Sequence, residues 1–77
     1  MREHDVVLYT REGCHLCDEA KQKLLSHGMR PQEVDIDQDP QLVQQYGECV
    51  PVVTIDGVVR FRGRIHDLLL RRLLHRS

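Results

Sequence analysis

The sequence predicts one α/β domain over residues 1–77, with a mixed four-stranded sheet flanked by three helices in the order β-α-β-α-β-β-α. Three observations lead to this prediction. The chain has 77 residues, which suffices for one small domain but not for two. It is 40% hydrophobic and 30% charged, as globular chains are and disordered chains are not. Short β-branched runs alternate with helical patterns, which favours a right-handed parallel β-α-β unit followed by an antiparallel hairpin.

The first predicted strand is the β-branched and aromatic run Val6–Tyr9, which is too short for a helix. Residues 11–13 interrupt it, and a helical pattern then runs from Cys14 to His27. Gly28 is suited to end that helix, because glycine readily adopts the left-handed conformation found after many helices. The apolar positions that share one face of this helix are Cys17, Ala20 and Leu24.

The second strand is expected from Pro31 to Ile36, with Val34 and Ile36 pointing to the same side. Asp39 followed by Pro40 predicts the start of a second helix, because an aspartate caps the free amides and proline suits the first helical position. Gly47 ends this helix. Its short apolar face consists of Leu42, Val43 and Tyr46.

A hairpin and a third helix complete the pattern. Val50 to Ile55 and Val58 to Phe61 are predicted strands, and Asp56-Gly57 between them is a strong signal for a two-residue hairpin turn. After Gly63, a broad helical stripe predicts the last helix. Its members are Ile65, Leu68, Leu69, Leu70, Leu73 and Leu74.

Charge is balanced overall but divided along the chain. The net charge is −1, yet residues 33–56 hold six acids and no Lys or Arg, whereas residues 60–76 hold six arginines and one acid. Two interpretations stay open: two solvated faces, or a basic surface that attracts an anionic partner. Nucleic acid is not an expected partner, because the arginines are not interleaved with aromatic residues and the pI is about 6.5.

Three cysteines are an odd number, which disfavours a fully paired disulfide framework of the secreted kind. Residues 1–9 lack the basic-then-apolar pattern of a signal peptide, and the apolar runs are too short to span a membrane. We therefore expect a soluble, reduced, cytoplasmic protein without a membrane partner. Nothing in the sequence demands a dimer, so a monomer is expected.

The spacing of Cys14 and Cys17 predicts redox chemistry. With two residues between them at a helix start, the two sulfurs are close enough to bond. Only Cys14 would lie among the free N–H groups at the helix N-terminus, which stabilise a thiolate over a thiol. Cys17, one turn later on the apolar face, should be shielded. Cys14 is therefore the predicted nucleophile that attacks a substrate disulfide, and Cys17 is the predicted resolving thiol that releases the reduced substrate.

Other uses of these cysteines stay open. Cys14 and Cys17 could be two inert buried residues. They could also be half of the ligands of a structural zinc site that Cys49 and a histidine complete. The chain has no second C-x-x-C motif and no closely spaced histidine pair to support such a site. The candidate histidines are His4, His15, His66 and His75.

Several short motifs are spread along nearly the whole chain. They are Tyr9-Thr10, residues 11–17, Val34-Asp35-Ile36-Asp37, Tyr46-Gly47, Val50-Pro51-Val52, Asp56-Gly57 and Phe61-Arg62-Gly63. In this order and spacing, the chain resembles the glutaredoxins of the thioredoxin superfamily, in particular their short bacterial glutaredoxin-like branch. The resemblance implies a thioredoxin/glutaredoxin-like fold and a thiol-disulfide oxidoreductase that reduces protein or glutathione mixed disulfides. Its electron donor would be glutathione, as a co-substrate rather than a bound cofactor, or a reductase of the thioredoxin-reductase type.

The resemblance also implies roles for individual residues. The family's nucleophilic cysteine falls on Cys14 and its resolving cysteine on Cys17. The basic residue that glutaredoxins often carry just before the active site falls on Arg11. The cis-proline of the family falls on Pro51, which would leave the backbone of Val50 free to pair with an extended peptide or glutathione.

Three positions differ from the family pattern. His15-Leu16 replaces a proline and an aromatic residue, and His15 is interpreted either as a group that favours the Cys14 thiolate or as a solvated residue. Cys49 replaces a threonine and is either a small packed residue or a third redox thiol. Arg62-Gly63 replaces a pair of glycines, and Arg11, Arg62 and Arg64 would attract the carboxylates of glutathione. An adaptor that holds a partner in the groove beside the proline, without turnover, is the remaining alternative.

Overall fold

The computed structural model describes residues 4–47 and 49–75, except for the side chains of residues 74 and 75. Glu48 and Arg76, two members of the charged stretches, and the side chain of Leu74 lie outside this description. Within it, three α-helices flank a mixed four-stranded sheet in the predicted order β-α-β-α-β-β-α. The elements are β1 (Val6–Thr10), α1 (His15–Ser26), β2 (Gln32–Asp35), a 3-10 turn (Ile36–Gln38), α2 (Pro40–Tyr46), β3 (Val52–Ile55), β4 (Val58–Arg62) and α3 (Asp67–His75).

The sheet places its strands in the order β2-β1-β3-β4. β1 is parallel to β2, with Tyr9 opposite Val34, and β3 is antiparallel to both β1 and β4. Because β1 and β2 are parallel, the segments that follow these strands leave from the same edge of the sheet. That edge therefore carries both the C-x-x-C motif, after β1, and the 3-10 turn, after β2.

Two apolar clusters cover opposite faces of the sheet, since successive side chains of a strand point to opposite faces. On one face, Leu8 and Val53 pack with α1 and α3. On the other face, Tyr9 and Val52 pack with α2 and the 3-10 turn. No helix formed by residues 4–47 or 49–75 combines the length and apolar composition needed to cross a membrane.

Local signals set the end of the first helix and the start of the second where the sequence predicts. Gly28 follows α1 with φ +79°, and the next amide, that of Met29, donates to the Leu24 carbonyl at 3.0 Å. Asp39 caps α2 through a hydrogen bond from the Gln41 amide to its side chain at 2.9 Å. These two helices are therefore fixed largely by their own sequence.

The second and third strands are shorter than predicted. β2 ends at Asp35, because the Asp35 side chain accepts a hydrogen bond from the Asp37 amide at 3.0 Å and the backbone turns away from the ladder. Ile36 therefore belongs to the 3-10 turn and not to the strand, although it is fully buried. β3 starts at Val52 rather than Val50, since Pro51 has no N–H to donate to a neighbouring strand.

The last helix starts later than its apolar pattern predicts. α3 begins at Asp67, so Ile65 precedes the helix although its side chain is buried. Lys23 of α1 donates a hydrogen bond to the Ile65 carbonyl at 3.1 Å. This tertiary contact ties the segment to α1 before the helix begins.

The predicted apolar stripe of α3 is also wrong in part. Leu70 is fully buried and Leu73 packs against the same cluster, but Leu68 and Leu69 are 73% and 49% exposed. Successive residues of a helix point about 100° apart, so three consecutive leucines do not all face the sheet.

Candidate active site

The two cysteines of the C-x-x-C motif have different environments at the start of α1. Cys14 is the N-cap residue, with extended backbone (φ −90°, ψ 106°), and stands one position before the helix. Its sulfur accepts a hydrogen bond from the Cys17 amide at 3.2 Å, which satisfies one of the free N–H groups of the first turn. The Cys14 side chain is half-buried, whereas Cys17 is 3% exposed.

The buried position of Cys17 controls its acidity. Burial, helped by the hydrogen bond with Cys14, raises the pKa of Cys17 from its ordinary 9.0 to about 12. A backbone hydrogen bond from Arg11 opposes this rise in pKa. Cys17 is therefore a protonated thiol at neutral pH, poised beside the partly accessible sulfur of Cys14.

Arg11 lies between β1 and the cysteines, and its side chain donates hydrogen bonds to other parts of the protein. Its Nε and Nη2 atoms donate to the same Asp37 carboxylate oxygen at 3.1 and 2.8 Å, and Nη1 donates to the Gly47 carbonyl at 3.2 Å. The hydrogen bond and charge of Asp37 raise the pKa of Arg11 above its ordinary value. The backbone carbonyl of Arg11 accepts a hydrogen bond from the Cys14 amide at 3.3 Å.

The loop before β3 faces the segment after β4. The Val50–Pro51 peptide bond is cis, as the resemblance implies. The amide of Gly63 donates to two carbonyls of this loop, that of Pro51 at 2.8 Å and that of Cys49 at 3.1 Å. No backbone hydrogen bond joins Val50, which lies between them, to another residue of the described ranges.

A shallow cleft of about 170 Å³ begins beside the C-x-x-C motif. Its walls are the face of α1 that contains Leu16 and residues 63–65. Arg62 and Arg64 are exposed at this end of the molecule, and neither takes part in an ion pair among residues 4–47 and 49–75. His15 is exposed on the first turn of α1.

Cys49 is half-buried and packs against the cluster formed by Ile36, Tyr46 and Val52. Its environment is thus the apolar face beneath α2. In the part of the chain that the structure describes, no three His, Cys, Asp or Glu side chains are grouped closely enough to hold a metal ion. The ligand set of the zinc alternative is therefore not assembled among these residues.

Sequence reasoning named Asp37 only as part of a motif and missed its hydrogen bonds with Arg11 beside the cysteines. The two residues are far apart in the chain, and Asp37 stands in an acidic stretch for which neither interpretation of the charge pattern predicts an internal partner. The signal that could have found it is the parallel β-α-β unit. Because β1 and β2 end at the same edge of the sheet, the residues that follow them become neighbours.

Solved structures identify the class of fold. Target protein XcR50 from X. campestris has 34% sequence identity and a TM-score of 0.77, over 94% of this chain and 97% of that one. Protein Ne2328 from Nitrosomonas europaea has 24% identity and a TM-score of 0.77, over 95% and 93% of the two chains. A variant of the thioredoxin-like protein BC3987 has 23% identity and a TM-score of 0.70, over 95% and 97%. The fold is therefore thioredoxin-like.

The sequence itself identifies the family. The profile described as "Glutaredoxin-like domain (DUF836)" matches residues 5–75. No curated protein gives a significant match to the chain. The chain belongs to this glutaredoxin-like family, which confirms the resemblance drawn from its motifs. The neighbouring Cys14 and Cys17 of such a domain suggest a function of the redox type.

Proposed function

We propose that the chain is a thiol-disulfide oxidoreductase that reduces protein or glutathione mixed disulfides with Cys14 and Cys17. The observation that carries this proposal is the asymmetry of the pair. The Cys14 sulfur is partly accessible and accepts the Cys17 amide at 3.2 Å, whereas Cys17 is buried and has a pKa of about 12. This asymmetry supports a first reaction of Cys14 with a partner and a later reaction of Cys17 in the second step.

The reaction proceeds in two exchanges. The Cys14 thiolate attacks one sulfur of the substrate disulfide, forms a mixed disulfide and expels the other sulfur as a thiolate. Cys17 then loses its proton to that thiolate and attacks the Cys14 sulfur, which releases the second substrate thiolate. The substrate gains two electrons, and Cys14–Cys17 becomes a disulfide. Because Cys17 must be deprotonated first, we expect the second exchange to be the slower one.

The partner would bind along the loop before β3. An extended peptide or glutathione would pair with the N–H and carbonyl of Val50, which form no backbone hydrogen bond among the described residues, beside the cis Pro51, while the exposed Arg62 attracts its carboxylates. Glutathione or a reductase would then reduce the Cys14–Cys17 disulfide. We propose that the protein works as a monomer in the reducing cytoplasm, where its thiols stay free.

The test compares Cys14→Ser and Cys17→Ser with the wild type in reduction of insulin and of a glutathione–peptide mixed disulfide. Cys14→Ser should abolish reduction. Cys17→Ser should accumulate a mixed disulfide on Cys14, visible by peptide mass mapping, and the same adduct should form when Cys49→Ser is added. If both single variants reduce disulfides as fast as the wild type does, the proposed activity is wrong.

Redox titration in glutathione buffers separates this proposal from the alternatives. A Cys14–Cys17 pair that cycles between dithiol and disulfide supports the oxidoreductase, and its potential indicates the donor. A pair that never cycles would favour the adaptor, and stoichiometric zinc after purification without chelator would favour the structural metal domain.

A further inference from the structure

We propose that Arg11 and Asp37 form a positioning pair that holds the C-x-x-C loop in its reactive geometry, in place of the substrate-binding role that the resemblance implies for Arg11. All three nitrogens of the Arg11 guanidinium donate hydrogen bonds to the protein, two to Asp37 and one to the Gly47 carbonyl. The backbone carbonyl of Arg11 also accepts a hydrogen bond from the Cys14 amide. Its role in the reaction rests on the proposed function, but its effect on the loop does not.

Both anchors of the guanidinium are themselves fixed. The Asp37 amide is bonded to the Asp35 side chain at 3.0 Å, in a turn whose first residue, Ile36, is fully buried. The Gly47 amide is bonded to the Val43 carbonyl at 2.8 Å, at the end of α2. Arg11 thus joins the loop before α1 to two separate segments that pack on the sheet.

An isolated surface ion pair would not hold the loop in one geometry, since such pairs contribute little to stability and tolerate many geometries. The Arg11–Asp37 pair is 39% and 40% exposed and is modest as a charge pair. However, the planar guanidinium donates in fixed directions, so contacts on two of its edges restrict its orientation as a point charge would not. The contribution of the pair is therefore geometric.

The geometry that depends on the pair is the contact between the Cys14 sulfur and the Cys17 amide at 3.2 Å. The Cys14 amide is bonded to the Arg11 carbonyl, so motion of Arg11 displaces Cys14 relative to the first turn of α1. With that contact weakened, the Cys14 thiolate loses a hydrogen-bond donor. A lost hydrogen bond of about 1 kcal/mol corresponds to a change in rate of about fivefold.

A positioning role and a charge role predict opposite results for Asp37→Asn. If Arg11 acted by its positive charge, removing the Asp37 carboxylate would unmask that charge and make Cys14 react faster. If the pair holds the loop, removing either partner loosens it, and Cys14 reacts more slowly in both cases. Arg11→Lys separates the two roles a second time, because lysine keeps the charge but cannot make both contacts.

The experiment measures alkylation of Cys14 by neutral iodoacetamide as a function of pH, with the adduct located by peptide mass mapping. The variants are Arg11→Gln, Arg11→Lys and Asp37→Asn. The matched controls are Arg72→Gln, which removes an exposed arginine of α3, and Glu33→Gln, which breaks the Lys21–Glu33 ion pair at 3.1 Å. Urea midpoints establish that each protein is folded under the assay conditions.

We expect all three variants to slow alkylation at neutral pH by about three- to tenfold and to shift the pH profile of the rate in one common direction. Both controls should react at the wild-type rate. Faster alkylation of Asp37→Asn, or a wild-type rate for Arg11→Lys, would overturn the positioning role. A rate equal to that of the controls in every variant would also overturn it. Alkylation needs no disulfide substrate, so these outcomes are independent of whether the cysteine pair turns over.

Discussion

Burial of the Cys17 thiol should make the folded protein lose stability in alkaline solution. The pKa of Cys17 is raised from its ordinary 9.0 to about 12, chiefly by burial. Between these pH values the unfolded chain gives up the proton, while the folded protein keeps it. The stability that depends on this proton is therefore complete below about pH 9 and is lost as the pH rises toward 12.

The size of this loss in the free energy of unfolding follows from the ionisation of a single group, the Cys17 thiol. The free energy of unfolding falls by about 1.4 kcal/mol per pH unit where only the unfolded chain is ionised. Between neutral pH and about pH 11, this removes about 2–3 kcal/mol from a total on the order of 5–10 kcal/mol for so small a domain. Such a loss is large enough to measure by urea denaturation.

The assay is urea unfolding of the reduced protein, followed by circular dichroism at a series of pH values from about 7 to 11. Cys17→Ala lacks the titrating group, so the difference in its free energy of unfolding from that of the wild type should shift by about 2–3 kcal/mol in favour of the variant between neutral pH and about pH 11. Ala20→Gly, on the same buried face of α1, should lose about 1 kcal/mol at every pH and keep the wild-type slope. Parallel curves for the wild type and Cys17→Ala would refute the reasoning.

Two further predictions concern stability. The hydrogen bond with His4 lowers the pKa of Asp56, so the stability that this carboxylate contributes is present above its ordinary pKa of 3.8 and is lost as the pH falls below that value. His4→Ala should therefore flatten the acid limb of urea stability, and an unchanged limb would contradict this role. Leu70→Ala should lower the free energy of unfolding by about 2–5 kcal/mol, whereas Leu68→Ala, at a position that is 73% exposed, should change it by less than about 0.5 kcal/mol. Equal losses at the two positions, measured by urea denaturation, would contradict the orientation of α3.

Features encoded over a few neighbouring residues could be predicted from the sequence. The Asp56-Gly57 turn has φ of +54° and +83°, as a two-residue hairpin of this composition requires. The caps at Asp39 and Gly28 are local in the same sense, and the positions of α1 and α2 follow from them. The alternation of strand and helix patterns then determined the order of the elements.

Features that depend on contacts between distant residues could not be predicted in this way. The segment before α3 is joined to α1 by a hydrogen bond from Lys23 to the Ile65 carbonyl, and neither residue carries a local signal for it. The engagement of Arg11 depends on Asp37, which only the paired ends of β1 and β2 bring close. A basic residue before a cysteine motif therefore indicated electrostatic attraction, whereas its actual contacts are internal.

The amide of Gly63, which donates two hydrogen bonds, is a spectroscopic probe of the loop before β3. A single N–H group that donates to the carbonyls of both Cys49 and Pro51 responds to any displacement of either one. Its nuclear magnetic resonance signal and its rate of hydrogen exchange therefore report on the loop that contains Val50, without any label on the cysteines. One backbone resonance can thus follow occupation of this loop in the unmodified protein while Cys14 remains free to react.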